Sequence, residues 1–224
     1  MPRGPRPTPG GYVYHVLNRG NARKSVFDHD GDYAAFEQIL AETLTVAPMR
    51  ILSYVLMPNH WHFVVWPERD GELAVFMQRL TVKHVRRWHE YRGSTGTGHV
   101  YQGTYKSFPV QEDAHFLTVC RYVERNPVRS GLVPRAEEWQ WGSLYHRHRG
   151  DGLSRLVLRD WPVPRPDSYL DWVNTPQTHM EEEALRRCVG RGMAYGESIW
   201  GERVAGLLGL PATIRPRCRP RRAE

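Results

Sequence analysis

A run of aromatic and branched residues near the start of the chain predicts a strand, and an apolar stripe with helical spacing follows it. Residues 12–17 read YVYHVL, a composition typical of strands. From 30 to 46, apolar residues recur every three or four positions, and Pro48 ends this predicted helix. The basic segment 18–25, NRGNARKS, connects the two as a loop. The chain therefore opens with a β-α unit.

Two further apolar runs predict a hairpin, because only Met57-Pro58-Asn59 separates residues 51–56 from His60–Trp66. The same spacing arguments predict a helix over 72–91, an extended stretch within 100–110, and a helix over 113–125 that Asn126-Pro127 ends. The order β-α-β-β-α-β-α predicts an α+β fold, a ferredoxin-like antiparallel sheet with helices on one face.

Composition divides the chain into segments. Prolines and glycines dominate the first eleven residues, and prolines recur between 150 and 180. The last ten residues, RPRCRPRRAE, carry five arginines and one glutamate. We therefore expect, in chain order, a flexible arm at 1–11, the main domain at 12–149, a Pro-rich linker at 150–180, a short helical extension at 181–214 and a basic tail at 215–224.

The charge balance favours an acidic polymer as partner, since the chain has a net charge of +7. Three scattered cysteines favour neither a disulfide framework nor a zinc knuckle. We see no signal peptide, and the longest uncharged segment, 51–67, contains Pro58, Asn59 and two histidines, so it does not predict a membrane span. We expect a cytoplasmic protein.

The strand HWHFVVW places His60 and His62 on one face, because side chains alternate along a strand. Two imidazoles about 6.5–7 Å apart at their Cα atoms can converge on one divalent ion. They can equally be buried polar residues with satisfied hydrogen bonds. The pair alone leaves both interpretations open.

Tyr122 and Asn126 lie one turn apart on the predicted helix over 113–125, beside its apolar stripe. A single tyrosine is more often an amphipathic residue at the edge of a core than a catalytic one. Spacing alone therefore does not make Tyr122 a nucleophile.

The combination of paired strand histidines with this helix resembles the single-tyrosine HUH transposases, which act on single-stranded DNA. More closely, it resembles the REP-associated tyrosine transposases, relatives that service repetitive extragenic palindromes. The matching segments are YHVLNRGNARKSVF, LMPNHWHFVVW, HVYQGTYKSF, RYVERNPVRSGLV, WGSLYHR and RGMAYGESIWGERVAGLLGLPATIRPRCRPRR. Ser130 departs from the pattern, where alanine is expected.

This resemblance implies an HUH nuclease fold for the main domain and a function for each site residue. Tyr122 would be the nucleophile, and His60 and His62 would bind Mg²⁺ or Mn²⁺ with Asn126 completing the site. Attack would leave a 5′-phosphotyrosine and free a 3′-hydroxyl, so that the bond energy is kept for rejoining. Hard ions prefer oxygen ligands, so we expect this nitrogen-rich site to bind Mg²⁺ weakly until DNA phosphate and water complete the shell.

Several basic groups are candidates for DNA binding. The helix over 72–91 gathers cations on the side opposite its apolar stripe, which is either an ordinary solvated face or a phosphate track. Tyr101 and Tyr105 either stack on bases or pack at the edge of the core, and we interpret His15 as structural. The candidates are Arg19, Asn21, Arg23 and Lys24 in the first loop, Arg79, Lys83, Arg86 and Arg87 on the helix, and Arg215, Arg217, Arg219, Arg221 and Arg222 in the tail.

Three functions follow in order of preference. The first is a metal-dependent enzyme that nicks and rejoins single-stranded DNA beside a hairpin, acting on no small molecule and no membrane, with a monomer favoured over a dimer. The second is a domesticated protein that binds palindromic hairpins without significant catalysis. Retention of Tyr122, His60, His62 and Asn126 together favours the enzyme. A ferredoxin-like RNA-binding module ranks last, since the paired aromatic signature on its sheet is missing.

Overall fold

Four strands pair into one antiparallel sheet in the order β2-β3-β1-β4. The computed structural model describes residues 8–210. Both strands of the predicted hairpin are confirmed, and the extended stretch within 100–110 forms a strand only in its second half. The strands are β1 (Val13–Arg19), β2 (Arg50–Met57), β3 (His60–Trp66) and β4 (Lys106–Val110).

Two long helices cover one face of the sheet. Helix α1 (Asp30–Val46) and helix α2 (Glu72–Arg92) bury their apolar stripes against Trp61, Phe63 and Val65 of β3, all fully buried. Gly93 ends α2 in the left-handed region, at φ 58°, where a residue without Cβ is preferred. Both helices lie where the spacing predicts them.

The opposite face of the sheet is covered as well, which corrects the expectation of helices on one face. Helix α3 (Ala114–Glu124) packs there, with Phe116, Val119 and Val123 against Leu52 and Val55 of β2. The reason lies in the strands: β1 and β2 are apolar at both odd and even positions, so each face needs cover. The α+β class and the ferredoxin-like antiparallel sheet are confirmed.

The helices after α3 pack on both faces of the sheet. Residues 150–180, expected to form a linker, instead contain two short helices and several buried residues. Trp161 donates from Nε1 to the Leu52 carbonyl at 2.7 Å, and Tyr169 is 1% exposed. The helices are α4 (Asn126–Arg129), α5 (Ser143–Arg149), α6 (Gly152–Val157), α7 (Tyr169–Asn174), α8 (His179–Arg191) and α9 (Ser198–Leu207). Helix α7 contacts α3 in the second layer, whereas α6 packs against α1 on the first face.

Both ends of the described chain pack onto the domain. Gly11 donates to the Pro67 carbonyl at 2.8 Å, so the last part of the expected flexible arm is held in place, and residues 1–7 lie outside the described range. Tyr195 exchanges backbone hydrogen bonds with Pro109 and Gln111, both 2.9 Å, and so covers the free edge of β4. The expected helical extension is therefore α8 and α9 as far as residue 210. Within residues 8–210, no helix combines the length and apolar character that crossing a bilayer requires.

Candidate active site

His60 and His62 project from β3 toward α3, on the face opposite α1 and α2. Their ring centroids lie 5.0 Å apart. The register of β1 places Arg19 opposite His60 and Leu17 opposite His62. The predicted shared face is therefore confirmed, and the neighbouring strand adds a cation beside it.

Asn59 fixes the ring of His60. The side-chain Oδ1 of Asn59 lies 2.6 Å from Nδ1 of His60, and the Asn59 amide donates to the Arg23 carbonyl at 3.3 Å. Because that donation orients the amide, Oδ1 accepts and Nδ1 of His60 carries the hydrogen. The free lone pair of His60 is then on Nε2.

A third histidine holds His62. Nε2 of His15 lies 2.9 Å from Nδ1 of His62, the rings stack with centroids 5.0 Å apart, and His15 is fully buried. If His62 offers Nε2 to a metal, its Nδ1–H donates to His15 and the hydrogen of His15 is on Nδ1, a buried atom without a partner among the described residues. Sequence reasoning gave His15 a structural role only, because its contact with His62 depends on the pairing of β1 with β3.

All three imidazoles are neutral at pH 7. Burial, aided by the charges of Arg19 and Arg129, lowers the pKa of His60 to about 4. Burial also lowers the pKa of His62 well below its usual range, and that of His15 to about 3. Neutral imidazoles are the form that binds metal ions.

Tyr122 reaches this cluster from α3. Its ring centroid is 5.9 Å from that of His62 and 6.2 Å from that of His15, and both pairs meet edge to face. The side chain is 6% exposed, and its hydroxyl has no hydrogen-bond partner within residues 8–210. The other aromatic candidates lie elsewhere: Tyr101 is buried on the α2 side, where its hydroxyl bonds to Trp61 and His84.

Asn126 is close in sequence to the site but its side chain is engaged. The residue before a proline is expected to be extended, but Asn126 is not. Proline is tolerated in the first turn of a helix, and α4 begins directly at Asn126. The Asn126 amide donates to the carbonyls of Tyr122 and Val123 at 2.9 and 3.3 Å. Its Oδ1 accepts from Nη2 of Arg129 at 2.6 Å.

The residues present therefore fit a divalent ion in part. His60 and His62 each offer Nε2, and Oδ1 of Asn126 keeps one lone pair beside its hydrogen bond from Arg129. Among the described residues, no group of three or more histidine, cysteine, aspartate or glutamate side chains could hold a metal ion.

Arg129 is a site residue that sequence reasoning missed. Its guanidinium lies 4.6 Å from the ring centroid of Tyr122, in cation–π geometry. The segment NPVRSGLV contains it, but only the short helix α4 turns it back onto α3.

The first basic loop lies next to the histidines. Asn21, Arg23 and Lys24 are exposed. A hollow of about 350 Å³ beside His60 is lined by Arg23, with Ser25, Asn59 and Ser130 among its other walls. Arg19 lines a second hollow of about 310 Å³ with Lys106 of β4. The two hollows flank the cluster.

The basic residues of α2 are farther away, since α2 covers the other face of the sheet. Lys83 and Arg87 both form ion pairs with Glu42 of α1, and Arg86 pairs with Glu90 at 2.8 Å. Arg79 is exposed. Two carboxylates, Glu42 and Glu90, therefore offset part of the positive charge of the predicted phosphate track. The predicted tail residues Arg215, Arg217, Arg219, Arg221 and Arg222 lie outside the described residues.

An antiparallel sheet of this order, with a strand histidine pair facing a helix tyrosine, defines the HUH fold. Comparison with known proteins agrees. Residues 10–126, just over half of the chain, match the family model described as IS200-like transposase. The chain belongs to the IS200-like transposase family, whose members are DNA-processing enzymes, and the resemblance to REP-associated tyrosine transposases is confirmed.

Individual relatives are distant. A protein of Haemophilus influenzae, assigned to the REP-associated tyrosine transposases, is 21% identical over 163 residues, which are 69% of this chain and 89% of the relative. A solved REP-associated tyrosine transposase bound to a REP hairpin aligns with a TM-score of 0.53 and 18% identity, over 74% of this chain and 95% of its own. A solved structure assigned as a transposase of Deinococcus radiodurans R1 has a TM-score of 0.38 and 19% identity, over 55% and 96%.

Proposed function

We propose that this protein nicks and rejoins single-stranded DNA next to a hairpin, with Tyr122 as the nucleophile. The observation that carries the proposal is that Tyr122, His60 and His62 converge on one face of the sheet. The ring centroid of His62 lies 5.0 Å from that of His60 and 5.9 Å from that of Tyr122. A phenol beside two neutral imidazoles suits transesterification of a phosphodiester. Membership in a transposase family supports DNA as the substrate.

The Tyr122 oxygen attacks the phosphorus and its proton passes to solvent water, while the bond from phosphorus to the 3′ oxygen breaks. The 3′ oxygen takes a proton from water and departs as a hydroxyl, while the 5′ phosphate stays on Tyr122. Attack by a 3′-hydroxyl on this phosphotyrosine reverses the step and needs no ATP, since the bond energy is retained.

His60 and His62 would hold Mg²⁺ or Mn²⁺ through their Nε2 atoms, with Asn59 and His15 keeping each ring in the required tautomer. A bound ion supplies neutralisation of the phosphate charge and polarises a non-bridging oxygen. Asn126 would join this shell through the second lone pair of Oδ1, whose first lone pair accepts from Arg129.

For the substrate we propose a palindromic hairpin on the bacterial chromosome, reached in the cytoplasm by a monomer. The solved REP-associated transposase bound to a REP hairpin supports a hairpin by analogy. Arg19, Asn21, Arg23 and Lys24 border the cluster and would contact DNA nearest the cut. Arg79 of α2 and the arginine-rich tail would add contacts with the phosphate backbone.

One observation favours a second function, a hairpin-binding protein without significant catalysis. Oδ1 of Asn126, the third expected metal ligand, accepts from Nη2 of Arg129 at 2.6 Å, and this positive charge beside it disfavours a divalent cation. A binder would keep the basic surfaces and need no complete metal shell.

Covalent trapping separates the two functions. The full-length protein is incubated with hairpin oligonucleotides labelled on either side of the expected nick, with Mn²⁺ or with EDTA. The enzyme gives a denaturation-resistant species that carries the label 3′ of the nick, and the released strand is extended by a polymerase from its 3′-hydroxyl. Binding without such a species in Mn²⁺, with any hairpin, would reject the enzyme.

A further inference from the structure

Two arginines flank the histidine pair from different elements. Arg19 ends β1 directly opposite His60, and Arg129 of α4 stacks on Tyr122. Both guanidiniums carry a full positive charge at neutral pH. The cluster is therefore electropositive although its imidazoles are neutral.

Neither arginine has its charge balanced locally. Across residues 8–210, neither forms an ion pair with a carboxylate. Nε of Arg19 and Nη1 of Arg129 are buried and have no hydrogen-bond partner in that range. An unpaired buried N–H is costly, and in native proteins it often marks a place where another group binds.

Other arginines with an unpaired Nε differ in their surroundings. Arg121 donates to the Thr175 carbonyl at 2.8 Å and pairs with Glu181, and Arg147 donates to the Leu52 carbonyl at 3.0 Å. Those two guanidiniums hold the C-terminal segments against the domain. Arg19 and Arg129 instead adjoin the reactive side chains.

We propose that Arg19 and Arg129 form a phosphate-binding pair that holds the scissile phosphate between the histidines and Tyr122. This phosphate-binding role rests on the proposed function, and it adds two residues that bind the reacting phosphate. A guanidinium suits a phosphate because its N–H groups meet two oxygens at once. Stacking on Tyr122 and the bond to Asn126 fix two sides of the Arg129 guanidinium, which leaves Nη1 for an incoming oxygen.

Access supports this arrangement. Both arginine side chains are only partly buried. Arg19 borders the hollow of about 310 Å³ that Lys106 also lines, which is large enough for a phosphate group. Ser130, the residue after Arg129, lines the hollow beside His60.

Inorganic phosphate tests the pair without any reaction. Thermal unfolding is followed in phosphate and in chloride of equal ionic strength, for the wild type, Arg19→Gln, Arg129→Gln and the control Arg155→Gln. Arg155 is an exposed arginine of α6, which packs against α1 on the other side of the sheet. A ligand that binds only the folded state raises Tm. We expect phosphate to raise Tm in the wild type and the control, and each site variant to lose about half of the gain or more.

Single-turnover cleavage of a hairpin at saturating DNA measures the effect on the reaction. Loss of one donor to the reacting group lowers such rates by roughly 100-fold. We expect this for Arg129→Gln, a smaller loss for Arg129→Lys, and recovery when guanidinium chloride at millimolar concentration replaces sodium chloride. A residue that only maintains the fold would not be rescued in this way.

The proposed phosphate-binding pair would be wrong if phosphate raised Tm equally in all four proteins. It would also be wrong if both site variants cleaved DNA at the full rate. Arg129→Lys keeps the test valid if Arg129→Gln does not fold, since lysine preserves the charge but lacks the fork. A phosphate effect that depends on both arginines, in a wild type that forms no covalent species with DNA, would support the anion site and reject the proposed function.

Discussion

At the scale of single residues, the site consists of two imidazoles, His60 and His62, and the side chains that contact them. Asn59 and His15 bind the inner nitrogens, Nδ1, of His60 and His62, and leave the outer ones, Nε2, free. The shared face of the two histidines could be predicted from the sequence, because strand alternation depends on neighbours along the chain. The roles of the histidines and of Tyr122 came from the family resemblance and not from spacing. The contacts of His15 and Arg129 could not be predicted, since they depend on β-strand register and on the turn at Pro127.

Replacing His15 by phenylalanine tests its contact with His62. The ring shape is kept, but the Nδ1–H of His62 loses its acceptor. Loss of such a supporting partner typically costs about 10–100-fold in metal affinity. We expect a drop of that size in Mn²⁺ affinity by calorimetry on the DNA-bound protein, with DNA affinity unchanged. The control is His179→Ala on α8, whose side chain is 84% exposed. Full Mn²⁺ affinity in His15→Phe would leave His15 a packing residue.

Substituting the histidine pair tests the metal dependence. His60→Ala and His62→Ala each remove one of the proposed metal ligands. We expect cleavage to be abolished, and DNA affinity to fall only modestly because most of it comes from phosphate contacts elsewhere. EDTA should reproduce both variants on the wild-type protein. Undiminished cleavage in EDTA would rule the metal out.

At the scale of elements, the ends of helices and strands could be predicted where nearby residues in the sequence determine them. The hairpin around Met57-Pro58-Asn59 and the helices 30–46 and 72–91 agree with the structure within about one residue at each end. Side-chain pairing between elements was not predictable. Glu42 of α1 reaches Lys83 and Arg87 of α2, because the two helices pack side by side.

Glu42→Gln tests whether the basic face of α2 meets DNA. Loss of the carboxylate frees Lys83 and Arg87 for phosphates. Each added phosphate contact steepens the slope of log K against log salt by roughly 0.7–0.9. We therefore expect tighter DNA binding at low salt and a steeper slope than for the wild type. Glu202→Gln, an exposed change of equal charge on α9, serves as control. Identical slopes in both variants would place DNA away from α2.

At the scale of the whole molecule, residues 150–210 pack as part of the domain. Prolines between 150 and 180 predicted a linker, since proline disfavours regular elements. The aromatic residues among them decide otherwise. Tyr169 donates from its hydroxyl to Glu124 of α3 at 2.8 Å, and that buried carboxylate also accepts from Ser53 and Ser143. The burial of these aromatic side chains stabilises the packed segment despite its prolines. Sequence periodicity does not reveal this burial.

Tyr169→Phe tests this attachment. The ring and its packing persist, but one oxygen of the buried Glu124 loses its donor. An unsatisfied buried polar group costs about 1–3 kcal/mol. We expect the free energy of unfolding to fall by that amount in chemical denaturation, with a single transition for the whole chain. Tyr145→Phe, on a more exposed tyrosine of α5, is the matched control. An unchanged midpoint would show that the segment contributes little to the domain.

The central claim is that Tyr122 carries the DNA, and locating the covalent phosphate tests it most directly. The denatured adduct with a hairpin oligonucleotide is digested with a protease and a nuclease, and the modified peptide is sequenced by mass spectrometry. Tyr91→Phe, at an 80% exposed position of α2, is the matched control. We predict that wild type and Tyr91→Phe carry the nucleotide on Tyr122, and that Tyr122→Phe binds the hairpin but forms no adduct. A nucleotide attached to any other residue, or an adduct that persists in Tyr122→Phe, would contradict the account.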